Sequence, residues 1–474
     1  MPASETALST GLRQRHLAMI ALGGAIGAGL FVGSGQGIAQ AGPGIVLSYA
    51  LAGLLTMLVM RMLGEMSAAR PATGSFAEHA ARALGPWAGL LAGWMYWALL
   101  VVSVAAEAIG AARIMTGWIP AIPAWLWVAA FVTAFTASNL VGVRYFGELE
   151  FWFAGVKIAA ICAFLALGAA AVAGLLPGHP APGLAHLTGD GGFLPRGWHG
   201  VALGTVAAVF AFGGLETVTI AAAECPDPVL AVRRAVRSVV WRVSLFYLGS
   251  MAVIVTLAPW DDPALALSPY AATIGRIGVP GAADVMNAVV LIALLSAMNA
   301  NIYGSSRMLF SLVERGFAPR VLGRAPGGVP RAAVLASAAF GFVSVVLSLI
   351  WPRTVFPFLL NSIGAAILVL WALIAASQLR LRRIHSREAP APLVVRMWGF
   401  PYLIWAALAA IGGVLVFMLA DDESRVQVLC TGAWTAVLLL CGWWRRVRGS
   451  AATAVATSDS AASAADSAVA GYAA

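Results

Sequence analysis

Apolar runs of roughly twenty residues, parted by short polar breaks, recur from near the start of the chain to near its end. Crossing about 30 Å of hydrocarbon takes about 20 helical residues, so each run predicts a membrane-spanning helix. The pattern predicts about twelve. They fall at His16–Gln40, Gly44–Ser67, Trp87–Ala112, Trp125–Val143 and Phe151–Leu175, then at Val201–Ala223, Val240–Trp260, Ala283–Phe310, Ala332–Ile350 and Thr354–Gln378. Pro401–Ala420 and Val426–Trp444 complete the set. Two five-span halves, 16–175 and 201–378, are thus followed by a two-helix segment, 401–444. Residues 1–15 precede them, and the tail 445–474, Ala/Ser-rich from Gly449, has no packing pattern and predicts disorder.

Two of these spans are interrupted. GGAIGAGLFVGSG, Gly23 to Gly35, holds six glycines in thirteen residues. Each glycine weakens a helix by up to about 1 kcal/mol relative to alanine, so the run predicts local unwinding. In a bilayer such unwinding is tolerated only where the freed backbone groups face protein, water or a ligand. The other reading is close helix packing through small residues. The run does not fit a dinucleotide fingerprint, because Val32 stands where the next glycine is required and no strand precedes it. Five spans on, VFAFGGLETVTIAAAE places Gly213 and Gly214 just before Glu216. Glycine breaks at corresponding positions of two halves point to an inverted repeat with a binding site at the midplane. Free N–H groups at the turn Ile26, Gly27, Ala28 and Gly29 would hold a carboxylate. Free carbonyls around Phe210, Ala211 and Phe212 would accept from an ammonium group, and the two together describe an amino acid zwitterion.

Composition agrees with the membrane reading: 61% of residues are hydrophobic and 10% charged, against about 25% charged in an ordinary soluble domain. Arginine sets the orientation. With the N-terminus cytoplasmic, the arginine-bearing connections at Arg70 and Arg82, Arg144, Arg233 to Arg242, Arg315 to Arg331, Arg380 to Arg396 and Arg445 to Arg448 share its side. The opposite side keeps Arg113, Arg196, Arg276, Arg353 and Arg425. Both termini are therefore expected in the cytoplasm, and the net charge of +9 calls for no nucleic acid. No signal peptide is read at the start. Cys162, Cys225, Cys430 and Cys441 lack metal or redox spacing and read as small apolar fillers. No metal, no cofactor and no enzymatic nucleophile–base–acid set is expected.

The charges inside the spans carry the chemistry. Lys157, in FWFAGVKIAAICAFL, is the only lysine among 29 basic residues. It lies six residues past Phe151, about 9 Å into the span. It either snorkels back towards Glu148 and Glu150 or titrates there. Arginine serves every other cationic position and stays protonated, whereas lysine can lose its proton when desolvated, which favours titration. Glu107, deep in the third span, would contact a substrate ammonium or relay a proton. Pairing it with Arg113 is geometrically poor, because i,i+6 residues face different sides. Glu216 reads as a gating group or as a cap on freed amides. Glu65 reads as an interfacial ion pair with Arg61.

RHLAMIALGGAIGAGLFVGSG, AGPGIVLSYALAG followed by RMLGEM, GELEFWFAGVKIAA, FAFGGLETVTIAAAE and SAMNANIYGSSRMLFSLVERGFAP resemble, in order, the amino acid permeases of the amino acid-polyamine-organocation superfamily. The resemblance covers Leu12 to Gly442 and implies a leucine-transporter-type fold: an all-α membrane protein of 5+5 inverted repeats plus two C-terminal helices, helices 1 and 6 unwound. It also implies secondary active amino acid uptake, usually coupled to protons, with the inner membrane as location. The carboxylate-binding turn falls on Gly27, Ala28 and Gly29, and the aromatic gate on Phe210. Glu216 takes the gating glutamate's place, with Tyr96 as hydrogen-bond partner. The proton-coupling lysine is Lys157, with Ser296 and Asn299 as polar neighbours. TVTIAAAECPDP, SVVWRVSLFYLGS, SQLRLRR and RMWGFPYLIW look most like the GABA permease subgroup, although that subgroup does not keep a glycine at Gly29, as the alpha-amino acid permeases do. The competing functions are obligate amino acid exchange, an aromatic or other alpha-amino acid permease, and a non-transporting amino acid sensor.

Overall fold

Glycine and proline punctuate the helices. In a computed structural model, residues 26–70, 75–141, 143–177, 180–189, 191–216, 219, 227–352, 354–388 and 393–444 are described. The expected N-terminal segment, the first ten residues of the first span, Gly23 and Gly24, residues 220–226 and the tail lie outside them. Among the described residues every regular element is helical. A π-helical turn, Gly29–Gly33, leads into α1 (Ser34–Ala41), and Gly42–Gly44 forms a 3-10 turn before α2 (Ile45–Ala69). A short amphipathic helix, α3 (Ser75–Leu84), precedes α4 (Pro86–Trp118), whose first turn accepts Pro86 because a proline lacks only a donor that would be unpaired there. Then come α5 (Ala124–Val141), α6 (Val143–Val172) and α7 (Gly197–Ala211). α8 (Pro228–Leu257) starts with the Asp227 side chain accepting from Leu230 N–H at 3.0 Å and contains a π-helical stretch, Val243–Leu248. The chain continues through α9 (Ala282–Glu314), α10 (Arg331–Ile350), α11 (Val355–Glu388), α12 (Tyr402–Ala420) and α13 (Arg425–Trp444).

Ten helices among the described residues are long and apolar enough to cross a membrane. The first of them, Gly29–Ala69, joins parts of the first two expected spans across the Gly42–Gly44 turn. The sixth expected span appears as α7, whose 15 residues keep it out of that set. Its helix stops at Ala211, and turns follow to Glu216.

Two helices organise the interior. α9 packs along α4, α5, α6 and α10, and α11 packs against α2, α4 and α7. α12 and α13 lie outermost, with apolar side chains such as Val416 and Leu440 facing outward, as suits lipid contact. The polar residues take the opposite place. Glu107, Glu150, Lys157, Glu216, Ser296 and Asn299 are all buried.

Candidate functional site

The π-helical turn Gly29–Gly33 meets the end of α7. Backbone approach there depends on glycine: a Cβ on Gly29 would stand 2.5 Å from the Ala211 Cα, and one on Gly33 would stand 3.2 Å from the Phe210 ring. A Cβ on Gly27 would meet both Ala297 Cβ and Glu107 Oε1 at 3.0 Å. The predicted carboxylate turn, the predicted aromatic gate and Glu107 therefore share one neighbourhood. The carbonyls beyond α7 are less free than the sequence suggests. Phe210 C=O accepts from Gly213 N–H at 3.0 Å and Phe212 C=O from Leu215 N–H at 3.4 Å, because the chain closes successive turns as soon as the helix stops.

Glu216 sits at the end of those turns, buried, with Oε1 accepting from Gly214 N–H at 3.3 Å. Gly214 has a φ of +92°, a conformation that a side chain would strain, and this aims its N–H at the carboxylate. Glu216 Oε2 and Tyr96 Oη are both buried without a hydrogen-bond partner, and Tyr96 lies within electrostatic range of Glu216. The expected hydrogen bond between the two is not made in this structure. The Tyr96 ring packs edge-on against Phe76, with centroids 4.8 Å apart.

Lys157 is fully buried, and its ammonium Nζ stands 3.5 Å from Glu150 Oε1, also fully buried. Snorkelling to water is thereby excluded in this conformation, although the partner is one of the two glutamates that reading invoked. Seven residues are two helical turns, so Glu150 and Lys157 share one face of α6. Ser296 Oγ on α9 lies 2.8 Å from both Glu150 oxygens, so the ion pair is tied across to the neighbouring helix. Ser296 thus reaches Lys157 through Glu150, a residue that sequence reasoning placed only at the span edge. Asn299 is engaged elsewhere: its Oδ1 accepts from Asn139 Nδ2 of α5 at 2.8 Å.

Glu107 Oε2 accepts from Asn301 Nδ2 at 2.9 Å, and Glu107 lies within electrostatic range of both Lys157 and Glu150. Arg113 stacks over the Phe356 ring at 4.5 Å, in line with the unfavourable i,i+6 geometry. Glu65 corrects the expectation of an Arg61 pair. Its carboxylate points inward from α2 and accepts from Arg382, from Gln378 Nε2 at 2.8 Å and from Met397 N–H. Arg61 instead donates Nε–H to Arg396 C=O at 2.7 Å and stacks on Trp398, because the segment before α12 lies across its side of the helix.

Membrane-length helices that keep apolar side chains outside and gather carboxylates, amides and one lysine inside define a polytopic membrane transport protein. The comparisons refine that class. Residues 16–453 match the family model of the amino acid permeases. The chain is 46% identical over 441 residues to the gamma-aminobutyric acid permease of Bacillus subtilis, covering 93% of this chain and 94% of that one. It is 47% identical over 434 residues to the aromatic amino acid transport protein AroP of Corynebacterium glutamicum, covering 90% and 93%. Against the gamma-aminobutyric acid permease of Escherichia coli the identity is 43% over 436 residues, covering 92% and 93%. The chain belongs to the amino acid permease family.

Proposed function

We propose that this permease imports amino acids by proton symport and alternating access, across an inner membrane with both termini in the cytoplasm, and that GABA or small neutral amino acids are its substrates. The observation that carries the coupling is the fully buried Lys157–Glu150 pair held to α9 by Ser296. The cation and its carboxylate partner both stand on α6, and Ser296 ties that carboxylate to α9. With Lys157 protonated, the ammonium, the Glu150 carboxylate and the Ser296 hydroxyl form a bridge from α6 to α9. When the proton leaves, the attraction is lost and the carboxylate is left behind. A buried carboxylate without a cation is strongly unfavourable, so deprotonation pushes the two helices towards an arrangement that hydrates it. One charge carried through the full membrane potential contributes about 2.3 kcal/mol per 100 mV, which biases the cycle towards accumulation.

The substrate would lie where the Ile26–Gly29 turn, the end of α7 and Glu107 converge. Its carboxylate would take the N–H groups of Gly27, Ala28 and Gly29. Its ammonium would meet Ala211 C=O, and Glu107 would receive a distal ammonium. Phe210 closes over the turn. Glu216 and Tyr96, whose buried Oε2 and Oη have no partner, supply hydrogen bonds that change between open and closed states.

Uptake into proteoliposomes tests the coupling. Wild-type protein should concentrate substrate when a proton gradient is imposed on empty vesicles, and Lys157→Met should not. Accumulation by Lys157→Met or Lys157→Arg with unaltered pH dependence would sink the proposal, and uptake by wild type only into preloaded vesicles would identify an exchanger instead. The 47% identity to a protein named for aromatic amino acids supports a second substrate reading. Competition of GABA, alanine, phenylalanine and lysine against one labelled substrate separates the two.

A further inference from the structure

On the arginine-rich side of the bundle, away from Lys157 and Glu107, a cavity of about 320 Å³ opens between the end of α2, the amphipathic α3 and the far end of α11. Arg70, Arg82 and Arg382 line it together with His79, His385 and Glu65. Three arginines thus face one carboxylate, and that carboxylate is already held by Arg382, Gln378 and the Met397 N–H. Arg70 and Arg82 are exposed at the mouth, while Arg382 lies deeper, flattened over the Phe400 ring at 4.7 Å. The His79 ring is buried against Ser67 Oγ at 3.3 Å. Burial, and after it the positive charges of Arg82, Arg315 and Arg70, hold His79 down at about 4. The pocket carries two arginines at its mouth, Arg70 and Arg82, and a third deeper, Arg382, held by Glu65.

The chemistry that fits is a phosphate group. Arginine presents a planar fork of donors matched to phosphate oxygens, and basic pockets between membrane helices accept lipid headgroups of this kind. An excess of arginine is expected on this face from topology alone, but topology requires charge, not a concave site that α11 closes against the sequence-distant ends of α2 and α3. We propose that this cavity binds a phosphate-bearing anion, with Arg70, Arg82 and Arg382 as its donors. The site is independent of the substrate and of proton coupling.

The test uses the purified full chain in neutral detergent and follows its thermal unfolding in two arms. One titrates inorganic phosphate against chloride at constant ionic strength, and the other adds phosphatidylglycerol or phosphatidylcholine to the micelles. Saturable stabilisation by phosphatidylglycerol alone identifies a headgroup site, and stabilisation in both arms identifies a site open to free phosphate. Arg82→Gln and Arg70→Gln, both at exposed positions, should each raise the half-saturating concentration roughly tenfold. Arg276→Gln, exposed elsewhere and bonded to Asp262, should leave it unchanged. The proposal is overturned if neither arm saturates, or if Arg82→Gln and Arg70→Gln respond as wild type does.

Discussion

Removing one member of the Lys157–Glu150 pair should be far more damaging than removing both. At 3.5 Å and an effective dielectric of about 20, the attraction is on the order of 5 kcal/mol. Stripping water from each ion opposes it by several kcal/mol, so the intact pair adds little to stability over two well-packed neutral groups. A single substitution changes that balance. Lys157→Met leaves a buried carboxylate beside Ser296, and Glu150→Gln leaves a buried ammonium beside an amide. Each should lose about 3–5 kcal/mol. The double variant, with no charge to desolvate, should fall within about 1.5 kcal/mol of wild type. The resulting coupling of at least about 4.5 kcal/mol lies above the roughly 0.5–3 kcal/mol usual for contacting residues and within the range of about 1.5–7 kcal/mol found for close charge pairs. Denaturant unfolding in detergent micelles measures all four corners of the cycle, and proteoliposome uptake should be lost in all three variants. If the double variant loses the sum of the two single losses, Lys157 and Glu150 do not act as a unit, and control of the Glu150–Ser296 link by the lysine's charge is refuted.

Three further outcomes follow from other parts of the molecule. Because His79 is held at about 4 against an ordinary 6.5, the unfolded chain takes up a proton first. Stability should therefore be complete above pH 6.5 and fall as the pH drops to about 4, by about 3 kcal/mol. His79→Gln should flatten that slope, and a slope unchanged in the variant would rule the assignment out. Gly29→Ala drives a methyl to 2.5 Å from Ala211 Cα, a backbone atom that cannot turn aside. It should lower stability by about 1–3 kcal/mol and weaken substrate binding, and wild-type affinity would count against the close approach. Asn301→Ala removes the donor to Glu107 and should destabilise by about 1–3 kcal/mol, whereas Asn299→Ala, which breaks a bond between neutral amides, should lose about 1 kcal/mol. The reverse order would show that Glu107 is not held by Asn301.

The helices were legible because the bilayer imposes one length and one polarity on every span, and the break near Gly213 was legible because glycine weakens a helix wherever it stands. Lys157 and Glu107 also stood out, since a charge within an apolar run has no bland surroundings. Their partners were harder to read. Glu150 is two turns from Lys157 on the same helix face, a relation visible in the sequence, yet beside Glu148 at a span edge it reads as an interfacial carboxylate. Asn301 with Glu107, Asn139 with Asn299, and Arg382 with Glu65 are separated by 194, 160 and 317 residues. No local pattern pairs them, because the choice is made by which helix faces pack together. The Glu65 correction shows the cost of substituting proximity for packing: Arg61 is one turn away but is drawn to Arg396 and Trp398.

α9 carries three polar links to three different neighbours. Ser296, Asn299 and Asn301 span five residues, about 7.5 Å of helix rise, and at about 100° per residue they point in different directions. Ser296 reaches Glu150 on α6, Asn299 reaches Asn139 on α5, and Asn301 reaches Glu107 on α4. A rotation of α9 about its axis would strain all three links together, since each faces a different neighbour. Separation of α6 from α9 breaks the Ser296–Glu150 link, while Asn139–Asn299 and Glu107–Asn301 still join α5 and α4 to α9. These bonds therefore join α4 and α5 to α9 through amides and α6 to α9 through a carboxylate that is also paired with a lysine. The Lys157–Glu150 pair sits on α6, so a change in its charge acts directly on the Ser296 link to α9.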